Sequence, residues 1–319
     1  MFLYLLLLIP LLPVVWESQT SNFFVYLFLE FHGENISGDG QSFRKVDLHM
    51  HTWYSDGMYS PEEVILKAKQ AGLSAISITD HDIVDAIDEA IEIGREHGID
   101  IIPGVEISAE HKAKEAHILA YFIDHKNEEL LEYLKNFRKE RVIRAKKIVT
   151  RLNEMNISIT FDEVLSKVKG ANASIGRPHI AMALVDGSYV ANYFDAFNKY
   201  IGDDKPAYVK KPNISVSDAV KLIGKSGGLS FIAHPGRSLR NSNNIYEFIE
   251  AGIDGIEIIH PSHTEFDTAF YQDLASQYFL LESGGSDFHG GRINDDSLLG
   301  HYFIGEQKII AMKNRLFVL

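Results

Sequence analysis

Apolar and polar positions fall into three regimes along the chain. Met1 to Trp16 is almost wholly apolar, and Phe23 to Phe31 forms a second apolar run beyond a polar stretch at Glu17 to Asn22. From Phe43 onward short apolar runs alternate with helical patterns. Arg44 to His49 predicts a strand. Ser60-Pro61-Glu62-Glu63 predicts a helix start, with Ser60 as N-cap, Pro61 in the first turn and Glu63 closing a capping box. That helix runs to about Ala71, where Gly72 stops it. A strand is predicted over Ala75 to Thr79, a helix over Val84 to His97, and strands over Ile101 to Ile107 and His117 to Phe122. Strand–helix alternation at this spacing argues for parallel βα units. The rhythm changes near His125. Glu128 to Asn156 reads as one long helix and further helical segments reach about Tyr200, so 126–205 is expected to be an all-helical insertion between 43–125 and 206–319. Alternation resumes near Ile214, with helices at Ser215–Lys225, Tyr246–Ala251 and Glu265–Tyr278. Strands are predicted at Leu229–Ala233, Asp254–Ile259 and Phe279–Glu282.

Composition narrows the class. A chain of 319 residues with 45% apolar and 24% charged positions is that of an ordinary globular protein. A barrel of roughly 250 residues counts as one domain. The formal charge of −13 argues against a protein that coats nucleic acid. There is no cysteine, which removes disulfides and thiolate metal sites together. Any metal must be held by His, Asp and Glu, a donor set suited to Mn, Fe, Zn, Co or Mg. Lys135 to Arg151 carries eight basic residues against one acid, Glu140. Such a run is most simply a solvated helix face; a positive surface that steers phosphorylated substrates is the sharper reading. The apolar extension at 1–42 leaves three readings open: a membrane anchor, a degenerate signal peptide, or a segment unrelated to the rest. No Lys or Arg precedes the first run and no A-x-A site follows it. It also falls short of the roughly 20 apolar residues that span a bilayer. A cytoplasmic location is expected, with anchoring through 1–31 as the alternative.

The candidate chemistry sits at the strand ends. His49 and His51 are two residues apart, so on a strand their side chains share a face and can grip one ion together. Asp56 follows in a turn. His81, Glu106, His117, His234 and the pair Asp287/His289 stand where other apolar runs give way to loops. In a βα barrel such loops gather at one end. Nine nitrogen and oxygen donors are too many for one tetrahedral ion and suit two or three.

These motifs resemble the PHP (polymerase and histidinol phosphatase) family, related to the amidohydrolases. The match runs through H-x-H, a following Asp, Thr79-Asp80-His81-Asp82, a strand-end Glu, a mid-chain His, Ala233-His234-Pro235 and Ser286-Asp287-Phe288-His289. The resemblance covers residues 43 to about 290. It implies a distorted (βα)7 barrel with a trinuclear metal centre, manganese being the expected ion. His49, His51, Asp56, His81, Glu106, His117, His234, Asp287 and His289 would be the ligands, with Glu106 bridging two ions. Ser174-Ile175-Gly176-Arg177-Pro178-His179 after the helical insertion is similar to the branch that hydrolyses small nucleotides. On that likeness Arg177 and His179 become phosphate contacts, as suits a guanidinium that grips oxygens in bidentate fashion. His263 resembles a position near the substrate, and a metal-bound water or His263 would protonate the leaving oxygen. The implied reaction is metal-dependent hydrolysis of 3′,5′-nucleotide bisphosphates or short 5′-phosphorylated oligoribonucleotides by activated hydroxide, without a stable nucleic-acid complex. His49, His51, Asp287, Arg177 and His263 would carry it. The alternatives are a histidinol-phosphate or phosphotyrosine phosphatase of the same family, or a non-catalytic metal-stabilised binding module. His32, His97, His111, His125, His260 and His301 read as ordinary histidines. Residues 1–42 and the segment after Gly290 depart from the family pattern.

Overall fold

The computed structural model describes residues 44–317, apart from 113, 171, 239–241 and 292–294. The apolar runs before Arg44 lie outside the described residues. The chain opens with β1 (Lys45–Met50), α1 (Pro61–Gln70), β2 (Leu73–Ile78), α2 (Ile87–His97) and β3 (Asp100–Ile101). The capping box forms at α1. Ser60 Oγ accepts from the Glu63 N–H at 3.1 Å, and Glu63 accepts in return from the Ser60 N–H at 2.8 Å. Gly72 follows in the left-handed region at φ +76°, a conformation that glycine adopts without steric cost. β1, β2 and β3 pair in parallel, as the alternation predicts.

The next step departs from that prediction. β4 (Gly104–His111) and β5 (Lys114–Tyr121) form an antiparallel hairpin with Glu106 opposite Leu119 and Ser108 opposite His117. The reason is chain length, because a parallel crossover needs a dozen or more residues and the gap here is far shorter. Antiparallel pairing brings the first half of β5 to the end of the sheet where the parallel strands finish. His117 therefore reaches that end from inside a strand rather than from a strand terminus.

The helical segment comprises α3 (Glu128–Glu154), α4 (Phe161–Leu165), α5 (Arg177–Asp186), α6 (Tyr193–Ala196) and a π-helical turn at Phe197–Ile201. It has an apolar cluster of its own, in which Ile148, Leu152, Ile180, Leu184 and Ile201 are buried. Each such side chain contributes roughly 1.5–3 kcal/mol on burial, enough in sum to fix the segment as a packed body.

The chain then returns through β6 (Ile214–Ser215), α7 (Val216–Lys225), β7 (Leu229–Ile232), α8 (Pro235–Ser238), α9 (Ser242–Glu250), β8 (Gly255–Ile259), α10 (Glu265–Tyr278) and β9 (Leu281–Gly284). β10 (Ile304–Gly305) and α11 (Glu306–Leu316) close it; β10 lies antiparallel on β1. Two sheets result, in the orders β10-β1-β2-β3 and β6-β4-β5-β7-β8-β9. Two parallel bridges connect them, Met50 with Phe288 and His81 with Glu106. The fold is thus α/β with mixed sheets. Among the described residues no helix is long and apolar enough to cross a membrane.

Candidate metal centre and substrate cleft

Glu106, in β4 and fully buried, is the hub of the site. Its Oε2 lies 3.2 Å from His49 Nε2, from His51 Nε2 and from His81 Nδ1. Its Oε1 lies 2.7 Å from His117 Nδ1 and 3.0 Å from His234 Nε2. Asp287 Oδ1 repeats the pattern at 3.3 Å from the same two nitrogens of His49 and His51. His49 in β1 and His51 just past its end share a face, and both imidazoles present Nε2 to the same pair of carboxylates. A second focus forms at Asp56, whose Oδ1 is 3.3 Å from His289 Nε2 and 3.9 Å from His51 Nδ1.

Buried polar groups hold this array in place. Asp80 accepts from the Thr52 N–H at 2.7 Å and from Ser55 Oγ at 2.5 Å, pinning the loop that brings Asp56 round. Gly57 completes that turn, since a Cβ there would lie 2.5 Å from the His51 carbonyl oxygen. Asp295 accepts from the backbone N–H of His289, Gly290 and Gly291 at 2.6, 3.0 and 2.7 Å. Asp82, His234 and Asp287 all have positive φ, the kind of backbone strain that persists where surrounding structure fixes it.

Two members of the cluster escaped the sequence reading. Glu257 Oε1 is 2.9 Å from His49 Nδ1, and its Oε2 accepts from the His234 N–H at 2.6 Å. His260, read from sequence as an ordinary histidine, is buried with Nε2 3.3 Å from Asp287 Oδ2. The available signal was Glu257 itself, a carboxylate inside an otherwise apolar strand three residues before His260. His263 stands apart. Its Nδ1 meets the Ile258 carbonyl at 2.8 Å and its Nε2 accepts from the Gly236 N–H at 3.1 Å, so backbone groups engage both ring nitrogens.

The donor set fits divalent ions. Among the described residues, the buried atoms His51 Nε2, Asp56 Oδ1 and His81 Nδ1 meet other ligand-type atoms at 3.2–3.9 Å but make no hydrogen bond of regular geometry. Buried polar atoms left unpaired are costly in a native protein unless an ion or water satisfies them. Burial lowers His81 to about 3 and His234 to about 4, leaving both rings in the neutral form that ligates metals. Burial pushes Glu106 upward, but the charged imidazoles of His117 and His49 outweigh it and hold the carboxyl well below its usual range.

The cluster forms the floor of a cleft of about 380 Å³, the size of a small-ligand site. One wall is cationic. Arg141, Arg144 and Arg177 come from the helical segment, and Lys211 from the irregular stretch before β6. Arg141 is buried against Asp82, with Nε 2.9 Å from Oδ2. Arg177 donates to Asp203 at 2.6 Å and approaches Glu115 at 3.5 Å. Lys211 Nζ donates to Glu115 at 2.6 Å and to Ser108 Oγ at 2.7 Å. Burial, reinforced by Arg141, lowers the Lys211 pKa to about 8. Arg144 makes no ion pair among the described residues. Its Nε donates to the Val209 carbonyl at 2.7 Å, its Nη2 is buried without a partner, and burial lowers its pKa to about 10. The basic run of α3 therefore splits: two of its arginines turn inward, while most of its lysines are solvated as expected. His179 lies under the start of α5, where Nδ1 accepts from the Gly176 N–H at 3.1 Å, and its ring borders a neighbouring groove instead of this cleft.

Residues 47–142 match the PHP domain model. The chain is 34% identical over 255 residues to a 3′,5′-nucleoside bisphosphate phosphatase of Chromobacterium violaceum, covering 77% of this chain and 89% of that one. The chain belongs to the PHP family. A 5′-3′ exoribonuclease of Haemophilus influenzae is another relative, 32% identical over 252 residues and covered over 90% of its length. Among solved structures, a Bifidobacterium adolescentis protein described as a metal-dependent phosphoesterase superposes with a TM-score of 0.79 at 32% identity, over 85% of this chain and 96% of that one. This PHP protein is a metal-dependent hydrolase acting on phosphoester bonds.

Proposed function

We propose that the enzyme removes phosphate from small nucleotides, either 3′,5′-bisphosphates or short 5′-phosphorylated oligoribonucleotides. The observation that carries this reading is the juxtaposition of a buried His/carboxylate floor and a cationic wall across one cleft. The floor suits the ester being cleaved; the wall suits a second phosphate or a phosphodiester backbone. Relatives named for bisphosphates and for RNA support it.

We assign His49, His51, Asp56, His81, Glu106, His117, His234, Asp287 and His289 as the ligands of two or three divalent ions, manganese foremost. The two faces of the Glu106 carboxylate, one toward His49, His51 and His81 and the other toward His117 and His234, suit a bridging role. Such ions supply Lewis acidity and lower the pKa of water toward neutrality. The chain's own groups do the rest. Asp80, Glu257 and Asp295 orient ligands, the role that outer hydrogen-bond partners play in metal sites. Arg177 and Arg144 hold phosphate oxygens and Lys211 adds charge. His263 and His179 act through the backbone they brace. Of the two candidate proton sources for the leaving oxygen, a metal-bound water and His263, the backbone contacts at both His263 ring nitrogens favour the water.

Two further readings belong with this one. Strands β1, β2, β4, β5, β7, β8 and β9, joined by the Met50–Phe288 and His81–Glu106 bridges, support a distorted seven-stranded barrel. The separate apolar cluster of 145–207 supports treating 126–205 as an inserted domain that furnishes the cationic wall.

The test is phosphate release by the full chain after chelation and Mn add-back. The substrates are adenosine 3′,5′-bisphosphate, a short 5′-phosphorylated RNA, histidinol phosphate and phosphotyrosine. Metal-dependent turnover of the first two, with little of the others, is expected. Turnover of the last two alone would overturn the substrate assignment and leave the metal reading intact.

A further inference from the structure

A ladder of aromatic rings leads from the cationic wall to the mouth of the cleft. Arg177 lies over the Phe197 ring at 5.8 Å from its centroid. The Phe197 and Tyr193 centroids are 5.2 Å apart, and Tyr193 meets Phe194 at 5.6 Å and 87°. All four residues line the cleft that holds the His/carboxylate floor. Phe194, at the outer end, is 58% exposed. Exposure alone marks nothing: Phe266, Phe279 and Phe317 are more exposed and do not line this cleft. What distinguishes Phe194 is its position, an accessible aromatic face on the same continuous surface as the phosphate-binding guanidinium. The backbone beside it is a π-helical turn over Phe197–Ile201, a geometry that recurs at functional sites because it re-aims side chains.

We infer that the corner made by Tyr193 and Phe194 is the platform on which the substrate's nucleobase stacks, with Phe194 supplying the face. This rests on the nucleotide reading above and deepens it. A base one ribose away from its phosphates needs an apolar, flat surface beside an anion site. Stacking of this kind tolerates any base, since every base has a π-face. The platform therefore confers preference for nucleotides over other phosphate esters without selecting a sequence.

The test compares wild type, Phe194→Ala and Phe194→Trp on adenosine 3′,5′-bisphosphate and on the base-free methyl riboside 3,5-bisphosphate, with Mn present. For Phe194→Ala, KM for the nucleotide is expected to rise about 10- to 100-fold, the range set by loss of one base–aromatic stack. Its kcat should hold, the base-free substrate should be unaffected, and Phe194→Trp should stay near wild type. An equal rise for both substrates, or for neither, overturns the platform while the nucleotide reading stands. A wild type that hydrolyses neither bisphosphate, yet turns over phosphotyrosine, overturns the nucleotide reading and the platform with it.

Discussion

The floor and the wall of the cleft are built on opposite principles. On the floor, side chains project from strands and loops whose geometry is fixed by backbone pairing, and each polar atom faces several others: Glu106 alone meets five imidazoles. On the wall, long cationic side chains reach in from helices that pack against a separate core, and one of them, Arg144, reaches in without an acidic partner. The floor is over-determined and the wall is open at one point. Under the proposed function that division suits the two tasks, since ions would be held rigidly on the floor and a variable anion admitted at the wall.

Breaking the floor should give the largest effect. Glu106→Gln keeps the shape but removes the charge from the hub, and turnover should fall by about a thousandfold, the upper scale for deleting one group that stabilises developing charge. Bound metal measured alongside activity separates loss of ions from loss of chemistry. If Glu106→Gln retains near wild-type activity at matched metal content, the floor is not the reaction centre.

The junction between the two regions comes next. Asp82 joins them, accepting from the Ser108 N–H at 2.7 Å and pairing with Arg141. Asp82→Ala strands a buried guanidinium, at a cost of about 3–5 kcal/mol in urea unfolding. Replacing Arg141 by Met together with Asp82→Asn should recover part of that loss. Unchanged stability in Asp82→Ala would mean that the wall does not depend on this pair.

Arg144 sharpens the contrast. Arg144→Leu strands no acid and removes one hydrogen bond, to the Val209 carbonyl, so stability should fall by no more than about 1–3 kcal/mol. KM for a phosphorylated substrate should rise about tenfold or more, since a charge-assisted hydrogen bond contributes roughly 1.5–3 kcal/mol. A destabilised variant with unchanged KM would make Arg144 structural.

The smallest effect is one of pH. Lys211 in the folded protein titrates near 8 against an ordinary value of 10.5, so the folded state binds fewer protons than the unfolded state between those limits. Stability contributed by this group therefore rises with pH across that window. Affinity moves the other way, because the wall loses a charge above about pH 8. The profile of kcat/KM, which reports the free enzyme, should fall there, and Lys211→Arg should shift the fall to higher pH. A profile identical in both proteins would exclude Lys211 from binding.

The sequence by itself determined the βα alternation of the first third, the capping of α1 and the pairing of His49 with His51 on one face, because strand period and helix capping are local rules that residues 49–51 and 60–63 satisfy on their own. The nine donors could be named before any distance was known; their convergence could not. Only the tertiary structure decided that β5 runs antiparallel, that Glu257 and His260 join the cluster, and that Arg141 and Arg144 turn inward while neighbouring lysines face water. Each of these depends on which surface packs against which, and a helix with basic residues on several faces does not announce the one it will bury. Phe194 was illegible for the same reason: an aromatic residue in a helical stretch reads as core until the fold leaves it at the mouth of a cleft.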